Sequence, residues 1–402
     1  MATKKSLKAP LKQEHLKSWN LLQEFRDLLD KHPTKSVSSS DDKTTNNKGG
    51  PERLLTEEAY LCSFLFAQFN PMLDSMRGLC AASHFEKVQQ LVCSRPMSLG
   101  SFSEAQNVFG ASRLEDIFQH LVVENIQRPN PKVPAHLAQA MRLVDSCVFK
   151  ALPRMEWAYW RNQGTKQSAV RLHFSYHLLD QKAANAVLSP AKLCERKALE
   201  KMLKPGEFYI GDRNYSRDYK LLGRMMELGC SFLFRLCEQA VITVLEELEL
   251  SEEDRAAGVV SDQIVRLGKT KRYESETVRL IRIEKESLDE PILLITNHLS
   301  SEFLSAGLLA EIYRERWAIE LFFKWLKCIF GKPNQWHWFA ESDDGVGIQM
   351  YSALIAALLL SRRLGKLPNK RTMEALRMHQ YGMISIAELE GVLKLYSVKN
   401  KK

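Results

Sequence analysis

Between residues 313 and 327 the chain reads Y-x2-R-x3-E-x6-K, with Tyr313, Arg316, Glu320 and Lys327 at its fixed places. At about 100° per residue, a single helix would gather these four into a stripe roughly 60° wide, with Lys324 beside them. One face then carries a phenol, a carboxylate and three cations, Arg316, Lys324 and Lys327. Ile312, Ala318, Ile319, Leu321, Phe322, Phe323, Trp325, Leu326 and Ile329 fill the other directions, and Arg314 and Glu315 fall off the stripe. The expectation is a helix buried almost all round that opens one narrow polar slot. The plainer alternative is an amphipathic helix in which Glu320 and Lys324 form an i,i+4 pair worth a few tenths of a kcal/mol.

Two aspartates extend the chemistry. Asp145 stands in L-V-D-S-C, inside the apolar run 143–149, and Asp212 stands in I-G-D-R-N-Y, directly after a strand-like stretch. An aspartate in an apolar strand is costly unless it is paired or coordinates a cation. A divalent metal shared by Asp145, Asp212 and Glu320 is the economical explanation. Two Mg²⁺ ions about 4 Å apart on a few carboxylates activate a water or a 3′-hydroxyl and stabilise the leaving oxygen of a phosphodiester. The cations of the stripe would hold the phosphate chain, and Tyr313 would bond a phosphate or stack on a base. Taken singly, each aspartate also reads as ordinary structure: Asp145 as an edge residue, and Asp212, in Gly-Asp-Arg-Asn, as loop chemistry.

The elements that must position these groups follow from periodicity. Residues 140–237 alternate as strands at 143–149, 168–179, 183–189, 207–210 and 231–236, with helical composition at 190–203 and 217–228. That order implies an α/β fold, a mixed sheet flanked by helices. Residues 238–290 read as a β-rich insertion with strands at 241–245, 261–267 and 277–284. The core resumes at 291–330 with a strand at 291–296 and one long helix over 305–330.

Upstream, residues 1–32 form a basic helical arm with apolar spacing at Leu16, Trp19, Leu21, Leu22, Phe25, Leu28 and Leu29. Residues 33–52, rich in Ser, Thr, Asn, Lys and Gly, form a flexible linker that leaves the arm tethered. Residues 53–130 form an all-helical domain, with capping boxes expected at Ser101/Glu104 and Ser112/Glu115. Arg77, Lys87, Arg95 and Arg113 offer it a cationic face for DNA. Residues 331–402 form a basic, helical C-terminal region.

The whole chain sets bounds on partners. Its 402 residues carry a net charge of +9, with a pI near 9.0, which favours a polyanionic partner. The 8 cysteines show no C-x-x-C or finger spacing, as expected for reduced thiols in a cytoplasmic protein. The basic N-terminus lacks the apolar run of a signal peptide. The apolar run 350–360 is too short to span a bilayer and reads as a buried helix, so no membrane partner is expected.

The Y-(2)-R-(3)-E-(6)-K spacing, with the L-V-D-S-C and I-G-D-R-N-Y motifs, resembles the DDE transposases of the insertion-sequence-four family. The resemblance covers about 140–330, and the helical region 53–130 resembles the N-terminal domain of one branch. It implies a ribonuclease H-like core with a β-rich insertion before the catalytic helix, and Asp145, Asp212 and Glu320 as the catalytic, metal-binding acids. Tyr313, Arg316, Lys324, Lys327, Arg213 and Tyr215 would be the contacts to the transposon end. The implied cofactor is Mg²⁺, with Mn²⁺ able to substitute, and the implied partners are double-stranded DNA (terminal inverted repeats and target) and a second copy of the chain in a synaptic homodimer. The implied reaction is cut-and-paste transposition through a hairpin intermediate. One departure stands out: relatives place a tryptophan in the insertion to stack on a flipped base, whereas none lies between Trp160 and Trp317. Tyr273 and Phe303 are the aromatic residues available instead. The alternatives are a catalytically silent DNA-binding repressor or transposition inhibitor of the same fold, and a metal-dependent nuclease without strand transfer. His298, Trp157, Trp160 and the cluster Trp336, His337, Trp338 read as packing residues.

Overall fold

The computed structural model describes residues 21–33, 54–70, 73, 75–124, 140–162, 165–178, 182–268, 275–285, 289–329, 338–364, 370–380 and 382–398. The chain divides into two compact units, 1–121 with 325–402, and 122–324.

The first unit opens with helices α1 (Leu21–Lys31), α2 (Glu57–Phe69), α3 (Met76–Ala82), α4 (Glu86–Val88, continuing into a π-helical turn over Gln89–Cys93), α5 (Leu99–Ala105) and α6 (Ser112–Glu124). Three of these starts, those of α2, α3 and α5, are set by side-chain caps. Thr56 accepts the Ala59 N–H at 3.2 Å, Ser75 accepts that of Gly78 at 3.1 Å, and Ser98 accepts that of Ser101 at 3.1 Å. The last bond corrects the expected box at Ser101/Glu104: Ser98, in extended conformation, starts α5 one turn earlier. Likewise Ser112 is already helical, and the N–H of Ala111 before it is taken by Asp344 Oδ1 at 2.9 Å.

The first helix is docked and not a loose arm. Arg26 Nε bonds Glu58 on α2 at 2.7 Å, and Arg113 donates to the carbonyls of Leu29 and His32, both at 2.7 Å, closing the C-terminal end of α1. Its apolar stripe, Leu21, Leu22, Phe25, Leu28 and Leu29, is buried. Arg113, one of the four cations assigned to a DNA face, is therefore engaged in holding this corner together. The proposed linker falls almost wholly outside the described residues.

The second unit is built on ten strands: β1 (Met141–Lys150), β2 (Tyr159–Asn162), β3 (Thr165–His177), β4 (Lys182–Pro190), β5 (Phe208–Gly211), β6 (Ser231–Arg235), β7 (Ile242–Glu247), β8 (Val259–Leu267), β9 (Val278–Ile283) and β10 (Ile292–Thr296). They form one mixed sheet in the order β2-β3-β1-β5-β6-β10-β9-β8-β7, with β4 also on β3. β1, β5 and β6 are parallel neighbours, and the remaining pairings are antiparallel. Parallel strands need covered faces, and β5 (F-Y-I-G) is accordingly buried at every position.

Four helices of this unit lie between and after the strands: α7 (Glu195–Met202), α8 (Tyr219–Glu227), α9 (Glu252–Ala256) and α10 (Ala306–Arg314), followed by α11 (Trp317–Ile329). The crossover helix α8 puts Leu221, Leu222 and Met225 into a core with Tyr209, Tyr215, Phe232 and Phe234. Residues 238–290 extend the same sheet through β9, β8 and β7, and β7 is exposed along its whole length.

This extension is tied to the chain ahead of α10. Arg279, fully buried, forms a two-pronged ion pair with Asp262, Nη2–Oδ2 at 2.6 Å and Nε–Oδ1 at 2.8 Å. Its Nη1 donates to the carbonyls of Ser300 at 3.1 Å and Leu304 at 2.6 Å. Asp254 of α9 accepts the Gly307 N–H in the first turn of α10 at 2.6 Å.

The single helix expected over 305–330 is broken. α10 ends at Arg314, α11 begins at Trp317, and the junction is a tightened turn of i→i−3 bonds: Glu315 N–H to Ile312 O at 3.1 Å, Arg316 to Tyr313 at 3.0 Å, Ala318 to Glu315 at 2.9 Å and Ile319 to Arg316 at 3.2 Å. A single helical wheel therefore does not run from Tyr313 to Lys327. Nor is α11 buried all round: Trp317 is 59% and Leu321 51% exposed. Arg314 is also exposed, 3.9 Å from Glu311.

The chain continues with α12 (Asp343–Leu364), α13 (Lys370–Gln380) and α14 (Ile386–Val398), all of the first unit. Residues Asp343–Arg362 of α12 are long and apolar enough to cross a membrane, longer than the run 350–360 suggests, yet 89% of the apolar window is buried inside the protein. Every residue from 350 to 360 is buried and α12 packs on α2, the behaviour of a core helix. No disulfide forms among the described cysteines.

Candidate active site

The sheet brings the two aspartates together by register. β1 and β5 run parallel and pair through Leu143 and Ile210, and Asp145 and Asp212 each stand two residues beyond that pair. Adjacent strands lie about 4.8 Å apart, so two carboxylates meet at one level where the β1–β5 pairing ends. Asp145 Oδ1 accepts the N–H of Ser146 at 2.7 Å, and Asp212 Oδ1 accepts that of Asn214 at 2.9 Å. Burial lifts the Asp145 carboxyl to about 7; the negative charges of Asp212 and Glu195 add to the rise, and the Ser146 N–H and Arg316 oppose it. Asp212 is raised as well, first by desolvation and then by Glu195.

The third acid arrives through packing. Phe174 of β3 is the cross-strand partner of Asp145, and its ring stacks on Phe322 of α11 at 4.4 Å between centroids. Phe322 lies two residues after Glu320, so this stack lays the start of α11 beside β1. Arg316, in the break between α10 and α11, then spans the acids: Nη1 is 4.0 Å from Asp145 Oδ2 and Nη2 is 2.5 Å from Glu320 Oε1. Its guanidinium carbon lies 5.7 Å from the ring centre of Tyr313. The Nε–H of Arg316 is buried with no acceptor among the described residues. Tyr313 is itself buried, and desolvation raises its phenol. Lys324 and Lys327 follow along α11 and are exposed. Beside the break opens a cavity of about 490 Å³ whose walls include Ile283, Lys285, Ile292, Tyr313, Arg316 and Trp317.

The other expected DNA contacts divide. Arg213 is exposed, 3.6 Å from Glu238. Tyr215 is only 3% exposed, stacked on Phe234 at 5.5 Å, with its phenol driven well above the ordinary value by burial. It belongs to the core, because the short turn Tyr215–Arg217 folds its ring back onto the backbone at Gly211. A Cβ at Gly211 would stand 2.7 Å from Tyr215 Cδ2. Gly211→Ala is therefore expected to cost about 1–3 kcal/mol of stability by overpacking and to displace Asp212 next to it. Thermal melts together with a cleavage assay check both effects.

Sequence reasoning missed a fourth carboxylate. Glu195, in the first turn of α7, accepts hydrogen bonds from Ser146 Oγ at 2.5 Å, from Arg171 Nη1 and from Asn214 Nδ2. An acidic residue in a first helical turn is commonplace, so its type and position carry no signal. A weak signal did exist in β3, where Arg171, His173 and Ser175 alternate with Val170, Leu172, Phe174 and Tyr176 and so line one polar face. His173 is buried, hydrogen-bonded to Ser189 Oγ at 2.9 Å, and lowered to about 4 by desolvation and then by Arg171.

His298 packs between the rings of Phe208 and Phe303 at 5.3 and 6.0 Å, as a structural histidine does. Phe303 is 58% exposed. Tyr273, Trp336 and His337 lie outside the described residues.

The donor set fits a divalent cation in part. Two adjacent carboxylates raised by burial and by neighbouring negative charge are hard oxygen ligands that a cation would relieve. Glu320 is engaged by Arg316, and among the described residues no group of three His, Cys, Asp or Glu side chains stands close enough to hold one ion.

Comparison with known proteins places the chain in a family. The family model described as a transposase DDE domain matches residues 138–359. A probable transposase for insertion sequence element IS5377 from Geobacillus stearothermophilus is 25% identical over 248 residues, covering 61% of this chain and 63% of that protein. A putative transposase y4zB from Sinorhizobium fredii is 26% identical over 247 residues, covering 59% and 64%. The matched region thus spans less than two thirds of either relative's length. A solved piggyBac transposase synaptic complex with hairpin DNA overlays with a TM-score of 0.45 at 10% identity, covering 88% of this chain and 79% of that one, too distant for any detail to be transferred. Asp145, Asp212 and Glu320 all fall inside the family match, which covers more than half of the chain, and the chain belongs to the transposase DDE domain family.

Proposed function

We propose that this protein is a DNA transposase of the insertion-sequence-four type, cutting and rejoining phosphodiesters at Asp145, Asp212 and Glu320 by a cut-and-paste route through a hairpin intermediate. The observation that carries the reading is the pair of register-matched aspartates beside an arginine that bridges towards the third acid. The order β4-β3-β1-β5-β6, with the first two pairings antiparallel and the next two parallel, supports a ribonuclease H-like core, and β7–β9 supply the β-rich insertion.

In this reading Asp145, Asp212 and Glu320 would hold Mg²⁺, or Mn²⁺ in its place, and the ion would supply activation of the attacking oxygen and stabilisation of the leaving one. The protein's own residues bind and orient. A buried guanidinium N–H without an acceptor costs about 1–3 kcal/mol, and a phosphate oxygen would supply the acceptor that Arg316 Nε does not find among the described residues. A phosphate on Arg316 competes with its ion pair to Glu320 and so frees the glutamate's carboxylate. Lys324, Lys327 and Arg213, all exposed, neutralise neighbouring phosphates. Tyr313 supports Arg316 through its ring face. The helical region 53–130 and the basic C-terminal region contact the terminal inverted repeats and target DNA, and joining two ends requires a homodimer.

A second reading, a catalytically silent DNA-binding inhibitor, is favoured by one observation: Glu320 is held by Arg316 and no three-acid cluster forms among the described residues. Incubating the protein with duplexes that carry the element's terminal repeats, in Mg²⁺ and then in EDTA, separates the two. Cutting and joining are expected with Mg²⁺ and neither with EDTA. Binding without cutting overturns the enzyme in favour of the inhibitor, and cutting without joining leaves a nuclease.

A further inference from the structure

We propose that Glu195 is a positioning residue whose single carboxylate sets the spacing of the Asp145 and Asp212 side chains. The inference rests on the reading of those two aspartates as metal ligands. Each aspartate is oriented by one backbone N–H, Asp145 by Ser146 at 2.7 Å and Asp212 by Asn214 at 2.9 Å. The side chains of those same two residues both donate to Glu195: Ser146 Oγ at 2.5 Å to Oε1, and Asn214 Nδ2 to Oε2. One rigid carboxylate therefore grips the middle of β1 and the turn after β5, each through the residue that aims its aspartate.

The grip is itself anchored. Arg171 of β3 donates Nη1 to Glu195 Oε1 and lies 3.2 Å from Ser146 Oγ, so β1, β3 and the turn after β5 close on a single point. Glu195 is fixed from behind by α7, whose Ala198, Leu199 and Met202 are buried. With side-chain exposures of 15% and 17%, Arg171 and Glu195 are screened from solvent, unlike an ordinary surface pair.

Fold stability alone does not explain this placement. A third negative charge beside two desolvated carboxylates repels both, and an uncharged hydrogen-bonding group would join the same strands at lower electrostatic cost. Partners that orient metal ligands are worth about 10–100-fold in metal affinity or activity, and Glu195 stands in that relation to both acids at once.

The test is Mn²⁺ binding by the full-length chain, followed by electron paramagnetic resonance and needing no DNA. Glu195→Gln keeps acceptors for Ser146 and Arg171 and loses the one for Asn214; Glu195→Ala loses all three. Each is expected to bind Mn²⁺ about 10-fold or more weakly, with the alanine variant the weaker. Glu200→Gln, on the exposed side of the same helix in a pair with Arg224 at 3.2 Å, is expected to bind as the wild type does. In cleavage assays the half-saturating metal concentration should rise more than the plateau rate falls, a split that general loss of stability does not produce. Should the alanine variant not fold, the near-isosteric glutamine variant decides. Wild-type binding that disappears in Asp145→Asn but persists unchanged in Glu195→Gln overturns this inference alone. Absence of Mn²⁺ binding in the wild type overturns the metal reading of the aspartates and this inference with it.

Discussion

Replacing Asp145 by Asn is expected to lower DNA cleavage by at least about 1000-fold, roughly 4 kcal/mol of transition-state stabilisation, while DNA binding stays near wild type. The amide preserves shape and still accepts the Ser146 N–H, but it loses the charge that a divalent ion requires. Asp212→Asn should behave alike, because the register places the two acids as equivalents on neighbouring strands. The Asp145→Asn change should also leave a signature in stability that needs no substrate.

The folded protein holds the Asp145 proton up to a pH of about 7, whereas in the unfolded chain the carboxyl ionises near 3.8. An acid raised in this way favours the folded state most below the unfolded value. Its contribution falls as pH rises between about 4 and 7, then levels off. At 1.36 kcal/mol per unit the loss is at most about 4 kcal/mol, and partial solvent access reduces it. Asparagine carries no such cost. Melts in EDTA should therefore show Asp145→Asn gaining on the wild type from pH 5 to pH 8, even as it loses cleavage. A gap independent of pH would mean that Asp145 is not desolvated, and the electrostatic account of the site would fail.

The aspartates were legible because a strand's period and its bounding turn fix where a side chain stands: Asp145 interrupts the apolar run of β1, and Asp212 follows directly on the apolar run of β5. The glutamate was legible by spacing, but for an incomplete reason. Nothing in the run from Tyr313 to Arg316 breaks a helix by composition, since Arg and Glu are good helix formers. The break comes from i→i−3 bonding and from the two acids that claim Arg316, and those are tertiary facts. Tyr215 shows the same limit from the other side. A tyrosine in a polar turn reads as exposed, and only the glycine space at residue 211 reveals that its ring folds inward. Glu195 could not be found, since its three partners come from separate strands and turns. At α5 the sequence pointed to Ser101, and backbone conformation put the cap at Ser98 instead.

Arg279→Ala should produce the largest loss of stability in the second unit, about 3–5 kcal/mol and a fall in Tm on the order of 10 °C, because it leaves Asp262 charged, buried and unpaired. A purely electrostatic pair is replaceable by apolar residues at little net cost, so Arg279→Met with Asp262→Leu tests what else the arginine does. Here it also satisfies the carbonyls of Ser300 and Leu304, just ahead of Ser305, which caps α10 through the Leu308 N–H at 3.2 Å. Ser300 is exposed and its carbonyl keeps the Leu304 N–H at 3.5 Å, but the buried carbonyl of Leu304 loses the Arg279 donor at a cost of about 1–3 kcal/mol, so the double variant should recover only part of the loss. The residual defect should also reach the active site, since α10 leads directly to the turn that carries Arg316. Cleavage measured at a temperature where the double variant stays folded should be slower than wild type. Full recovery of both Tm and cleavage would instead mean that the extension β7–β9 stands apart from the catalytic helix, and that the latch through Arg279 has no part in aiming Glu320.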